Sequence, residues 1–157
     1  MNMKTFLSVF SLVLVSTTVF ARIHEYWPYD RLTKEADVIV IATPVSVRDT
    51  SERTTLPNIV SIDTNNVRSS IPAIGVETTF TNLAVLKGDT NLTTVVFHHL
   101  REAESKPSFN GPGLVAFDPK VKKRFLLFLK RESDGRYAPL TGQTDPDGGV
   151  RDLGTYP

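Results

Sequence analysis

Residues 38–47 constrain this chain most, because they are apolar along both faces of an extended strand. Ile39, Ile41, Val45 and Val47 fall on one side, and Val38, Val40 and Ala42 on the other. A strand of that kind is covered on both faces for part of its length. Pro44 has no N–H to give to a ladder, so the strand must bend, bulge or run along an edge there. A bent first strand is what a small closed barrel needs to turn a corner.

Four more segments extend the pattern. Residues 75–86 and 92–100 read as a hairpin with its loop around Gly88 and Asn91. Phe125-Leu-Leu-Phe-Leu129 is a buried strand, and Asp134-Gly135 turns it into Arg136-Tyr-Ala-Pro-Leu140. Ahead of them all, Asp30 is placed to cap one or two turns of helix reaching Ala36. The expected fold is mainly β: a five-stranded OB-like closed barrel with a short N-terminal helix and long loops. A small β-sandwich is the alternative.

The longest expected loop covers residues 49–74, polar and rich in Ser, Thr and Asn, with prolines at 57 and 72. Within it, Asn58-Ile-Val-Ser-Ile-Asp63 has the composition of a short extra strand, with Asn65-Asn66 as a turn. A second loop precedes Arg124, and in it Leu114-Val-Ala-Phe117 forms an apolar patch suited to plugging one end of the fold. The tail from Gly142 is dense in Asp, Pro and Gly and reads as irregular.

Residues 1–21 read as an export signal. Lys4 supplies the positive n-region, residues 6–15 the apolar core, and Val19-Phe20-Ala21 the small or β-branched positions before cleavage between Ala21 and Arg22. The run falls short of the roughly 20 apolar residues of a membrane span, so no span is expected after cleavage. The expected location is outside the cytoplasm, periplasmic or secreted. Of the 157 residues, 22–157 remain as a single domain with 17 basic and 17 acidic residues. That balance creates no field to draw the protein to nucleic acid. The chain has no cysteine, so the barrel must stand on its own core, and thiolate metal sites and a Cys nucleophile are excluded.

Candidate chemistry is sparse. His98 and His99 are adjacent on a strand, so their rings diverge, and only His24 remains as a third imidazole. No metal site and no cofactor is expected from them. Asp145-Pro-Asp-Gly-Gly-Val-Arg-Asp152 starts like a calcium loop but lacks the third alternating ligand and the distal Glu, which leaves a turn as the plainer reading. Lys120, Lys122, Lys123 and Arg124 flank an aggregation-prone strand and read as gatekeeping charges. Trp27, with Tyr26 and Tyr29, suits either a sugar or peptide platform or a plug that tethers the chain start, and the plug is favoured. Glu102 and Glu104 have no apolar pocket around them that the sequence can infer, and no Gly-x-Ser-x-Gly elbow or Gly-rich phosphate loop exists.

One ordered set of motifs resembles a known family. Glu35-Ala-Asp-Val-Ile-Val-Ile-Ala42, Leu83-Ala-Val-Leu-Lys-Gly-Asp89, Arg124-Phe-Leu-Leu-Phe-Leu129, Asp134-Gly-Arg-Tyr137 and Leu140-Thr-Gly-Gln143 resemble small exported bacterial proteins. Their pattern is similar to the netrin-like domains of tissue inhibitors of metalloproteinases. The resemblance implies an OB-type barrel. The inhibitors' N-terminal Cys and disulfides have no counterpart here, since the mature chain would begin at Arg22. Three functional expectations follow. The first is a non-catalytic module that binds an unknown protein or polymer through its loops. The second is a protease inhibitor acting by another contact, and the third a secreted hydrolase using His98 or His99 with a carboxylate.

Overall fold

A computed structural model describes residues 26–104 and 111–155. The expected signal, its Ala21–Arg22 cleavage point and His24 lie outside the described residues. Helix α1 (Tyr29–Glu35) is followed by β1 (Val38–Ile62), β2 (Arg68–Lys87), β3 (Thr94–Glu102), β4 (Lys123–Arg131) and β5 (Tyr137–Pro139). A 3-10 turn at Pro146–Gly148 then leads into β6 (Val150–Thr155). Among the described residues no helix is long and apolar enough to cross a membrane.

Five strands close a ring in the order β1-β2-β3-β5-β4, with β4 returning to β1. Every junction is antiparallel except β3–β5, which is parallel and rests on one pair, Phe97 with Tyr137. The expected mainly β ring is present, as a partly open barrel of the kind small five-stranded folds adopt. The double apolar character has its reason over residues 38–42, which pair with β4 on one edge and, from Ile39 on, with β2 on the other, whereas Val45 and Val47 stand exposed at 50% and 40%. Val40 and Ala42 face the interior, and Ile39 faces α1. At Pro44 the ladder with β2 shifts register, the bulge that the missing N–H demands.

The interior is aromatic. Phe117 arrives from the loop before β4 and stands edge-on to Phe80, Phe97 and Phe125, with centroids 4.9, 5.4 and 5.1 Å away. Such perpendicular contacts set the positive ring edge against the negative face. Residues 114–117 therefore do plug the ring: Phe117 and Val115 pack into the main core, and Leu114 into a smaller cluster.

A second cluster lies under α1, where Leu32 and Ala36 meet Ile39 and Phe128, with Trp27, Leu126 and Leu140 packed around them. Seven residues are too few for a self-sustaining helix, so this contact holds it. The expected Asp30 cap is corrected: Pro28 occupies the cap position without a side-chain bond, and Asp30 lies in the first turn, at the positive end of the dipole. At the other end Lys87 Nζ donates to the Thr33 and Lys34 carbonyls. Trp27 is half-buried beneath the Arg31 guanidinium, 3.5 Å from its ring centroid, and packs on the α1 cluster, whereas Tyr26 and Tyr29 are 73% and 53% exposed, so of the three expected plug residues only Trp27 packs into that cluster.

Two expectations are overturned. Residues 49–74 do not form a loop insertion: β1 and β2 continue far past the ring and pair with each other to Ile62 and Arg68. Polar composition hid the strands, because a ribbon exposed on both faces from Val60 to Ser70 needs no apolar alternation there. The tail is also not irregular throughout, since Val150–Thr155 forms β6 and pairs with β4. Lys123 reaches Asp152 there at 2.7 Å, so one of the gatekeeping charges ties β6 to the sheet.

Candidate functional site

Beyond Arg53 the β1–β2 hairpin becomes an arm. Asp63 shapes its turn by accepting the Asn65 and Val67 N–H groups at 2.8 and 2.9 Å, while Asn66 takes the left-handed conformation that Asn tolerates. From Val60 to Ser70 every residue is exposed. Val60 and Ile62, two residues apart, share one face of the ribbon opposite Ser70 and Arg68. With Val67 they are 50%, 56% and 57% exposed, a small β-branched apolar tip. The opposite face carries Ile59 and Ile71, which pack with Leu56, Ala73, Leu100 and Leu114 and anchor the arm to the barrel. Pro57, Pro72 and the bulge containing Asn58 interrupt the ribbon's outer edges. These features guard against pairing with a further strand, leaving the faces for contact.

The base of the arm meets a cluster of charges. A bulge between Asp49 and Arg53 folds β1 against Gly75 of β2, where a Cβ would lie 2.7 Å from both Glu52 Oε2 and Thr50 Oγ1. Passing this gap, Glu52 Oε2 comes within 3.1 Å of His98 Nε2 on β3. His98 Nδ1 faces both carboxylate oxygens of Glu132 at 2.9–3.0 Å. Arg136 stands beside them, bonded to Asp134 at 2.8 Å, with Glu77 at 3.4 Å, Glu132 at 3.6 Å and Glu52 at 3.7 Å. Arg48 holds Glu77 from the other side at 2.9 Å. This clasp bridges β3 to the β4–β5 hairpin, at the seam with only one backbone pair. The Arg136 contacts hold the Asp134 carboxyl below its ordinary range, through its backbone N–H first and then its guanidinium.

His99 points the other way, into the core, so the two imidazoles diverge as the strand period demands. It lies 5.3 Å from Phe117, perpendicular to it, with Nε2 2.9 Å from Thr78 Oγ1. Burial pushes its pKa down to about 4, helped by His98 and opposed by the Val115 backbone. The Thr78–His99 pair has hydroxyl–imidazole spacing, but both residues are buried, at 0% and 3% exposure, so no substrate reaches the hydroxyl. His98 does sit with carboxylates, yet both its nitrogens are turned toward them.

The remaining candidates disperse. Asp145 accepts the Gly113 N–H and Asp152 pairs with Lys123, so these two carboxylates serve different elements. Among the described residues no group of three His, Asp or Glu side chains is placed to hold a metal ion. A cleft of about 330 Å3 opens between Asp37 and Val38, the Gly88–Asp89 turn, and Arg131 and Tyr137. Its Asp37 carboxylate is already held by the Arg131 N–H and by Lys130, which lowers its pKa. Glu52 and Glu132 were missed in the sequence because no local spacing relates them to His98. Only strand register places Glu77 opposite His98, and only the bulge brings Glu52 over both.

No family model matches this chain, and no curated protein or solved structure matches it significantly.

Proposed function

We propose that the chain is an exported, non-catalytic binding module that grips a protein partner with its β1–β2 arm. One observation carries this reading: a ribbon exposed from Val60 to Ser70 ends in Val60, Ile62 and Val67, three large apolar side chains at least half exposed. Apolar side chains raised on an arm outside the core add nothing to folding, and their burial against a partner is worth roughly 25 cal/mol per Å2. A protein surface suits them better than a charged polymer. Export, the netrin-like relationship and the absence of catalysis belong to the same proposal.

The test is a photo-crosslinker at Ile62, compared with one at Thr90 on the far β2–β3 turn, in cells exporting the protein. A discrete adduct from position 62 alone, abolished by serine at 60 and 67, is the expected result. Equal adducts from both positions would remove the arm from the proposal.

A further inference from the structure

We propose that the cleft at the barrel end away from the arm binds a free α-amino acid with an apolar side chain, its ammonium at Asp89 and its carboxylate at Arg131. This site is separate from the arm and goes beyond the reading of the arm as a protein-binding element. The cleft lies where β1 begins, where β2 turns into β3 and where β4 passes to β5. At Gly88, with φ at +112°, the turn comes so near β1 that a Cβ would lie 3.1 Å from Val38 Cγ2. The volume of about 330 Å3 is at the small end of the roughly 300–1,000 Å3 of small-molecule sites, so it suits one compact ligand.

The charges around the cleft select the ligand, because two of them are already spent and two are not. Asp37 Oδ2 accepts the Arg131 backbone N–H at 2.8 Å, and its Oδ1 faces Lys130 Nζ at 3.4 Å. Lys87, the cation next to the turn, gives its Nζ to the Thr33 and Lys34 carbonyls. Asp89 Oδ1 accepts the backbone and side-chain N–H groups of Asn91 at 2.9 and 3.2 Å, but among the described residues no cation pairs with this carboxylate. The Arg131 guanidinium has neither an ion pair nor a hydrogen bond among the described residues, and it is not joined to Asp89. One unpaired anion on the turn and one unpaired cation at the end of β4 complement a zwitterion.

Strand register aims the cation. Arg131 lies opposite Tyr137 in the β4–β5 ladder, so the two side chains share a face, and the Tyr137 ring on that face belongs to the main core. Arg131 therefore rises from the interior face of the sheet at the barrel mouth. The Tyr137 hydroxyl has no hydrogen-bond partner among the described residues and is still reached by solvent, which makes it a second donor beside the guanidinium. Charge-assisted bonds from an Arg fork suit a carboxylate. The remaining walls are apolar: Val38 is a core residue and Leu92 packs against the same core. They give an aliphatic side chain a surface to cover, while Asp89 Oδ2, which accepts no bond within the described residues, is left for the ammonium.

The experiment is a titration of the isotope-labelled protein with L-leucine at millimolar concentrations, followed through its backbone amide resonances. Saturable shifts at Gly88, Asp89, Leu92 and Arg131 are expected, with the arm unmoved. N-acetyl-leucine lacks the ammonium and leucinamide lacks the carboxylate, and each is expected to bind roughly tenfold more weakly, the size of one hydrogen bond to a charged group. Arg131→Gln keeps the backbone N–H that holds Asp37, and Asp89→Asn keeps an acceptor for the Asn91 N–H, so both should retain the parent's spectrum outside the cleft. Each is expected to weaken leucine by a similar factor, Arg131→Gln without further effect on leucinamide and Asp89→Asn without further effect on N-acetyl-leucine. No saturable shift at the cleft, equal affinity for the three compounds, or full leucine affinity in either variant would overturn the proposal. The arm's crosslinks do not enter this readout, so either site can fail while the other stands.

Discussion

Glu52 reaches His98 by lying directly over Gly75, which has no side chain to stand in its way. A Cβ there would stand 2.7 Å from Glu52 Oε2 and 2.9 Å from Glu52 Cβ, closer than unstrained contacts allow. The glycine is needed for close approach rather than for its backbone, since its φ is not in the left-handed region.

Gly75→Ala is therefore expected to push the Asp49–Arg53 bulge outward and to break the Glu52–His98 contact. The cost is that of an overpacked site, about 1–3 kcal/mol. Urea unfolding would read this as a lower midpoint at unchanged slope. A midpoint equal to the parent's would mean the bulge is free to move aside.

Phe117 is the central ring of the aromatic core although it comes from a loop. Phe117→Ala is expected to cost about 3–5 kcal/mol, because three edge-on neighbours lose their partner and the barrel end loses its plug. The same unfolding measurement checks it, and a loss below 1 kcal/mol would show that the plug is dispensable.

His99 gives stability a definite pH dependence. Its pKa falls from 6.5 to about 4 in the folded protein, so the unfolded chain takes up the proton first as pH drops. The contribution is complete above pH 6.5 and disappears on the way down to about pH 4, on the order of 3 kcal/mol in all. Asp37, lowered from 3.8 by its Arg131 and Lys130 contacts, loses its smaller share below that window. Urea midpoints between pH 7 and 4.5 should fall steeply in the parent and much less in His99→Gln, in which the Thr78 bond can be kept.

Replacing Val60, Ile62 and Val67 together by serine should change stability by no more than roughly 1 kcal/mol, because exposed side chains contribute little to folding. Circular dichroism and urea midpoints would then match the parent's, while the Val60→Ser, Val67→Ser pair loses the adduct of a crosslinker kept at position 62. A large drop in stability would place these residues in the fold instead of at an interface.

Legibility in the sequence followed burial. The both-faced apolar run at residues 38–47, the Phe125–Leu129 strand and the Asp134-Gly135 hairpin all signalled strands, because each packs against the core or turns with one defined geometry. The arm gave only a weak one, the short strand at Asn58–Asp63 with its Asn65-Asn66 turn, which lies within the far end of β1 and its hairpin turn. Its inner contacts are few, Ile59 and Ile71 among them, and its polar residues match those of a loop. β6 was hidden in the same way, by Asp, Gly and Arg on an edge strand.

His98 and His99 mark the boundary. The sequence alone determined that they point apart, because the strand period of two is a local property of the backbone. Which one enters the core, and what meets the other, came from strand register, from a β-bulge passing a glycine, and from a hairpin closing a seam that one backbone pair leaves weak. These relations join Glu52 and Glu132, 80 residues apart in the chain, to His98, and only the closed ring brings both carboxylates within 4 Å of its imidazole.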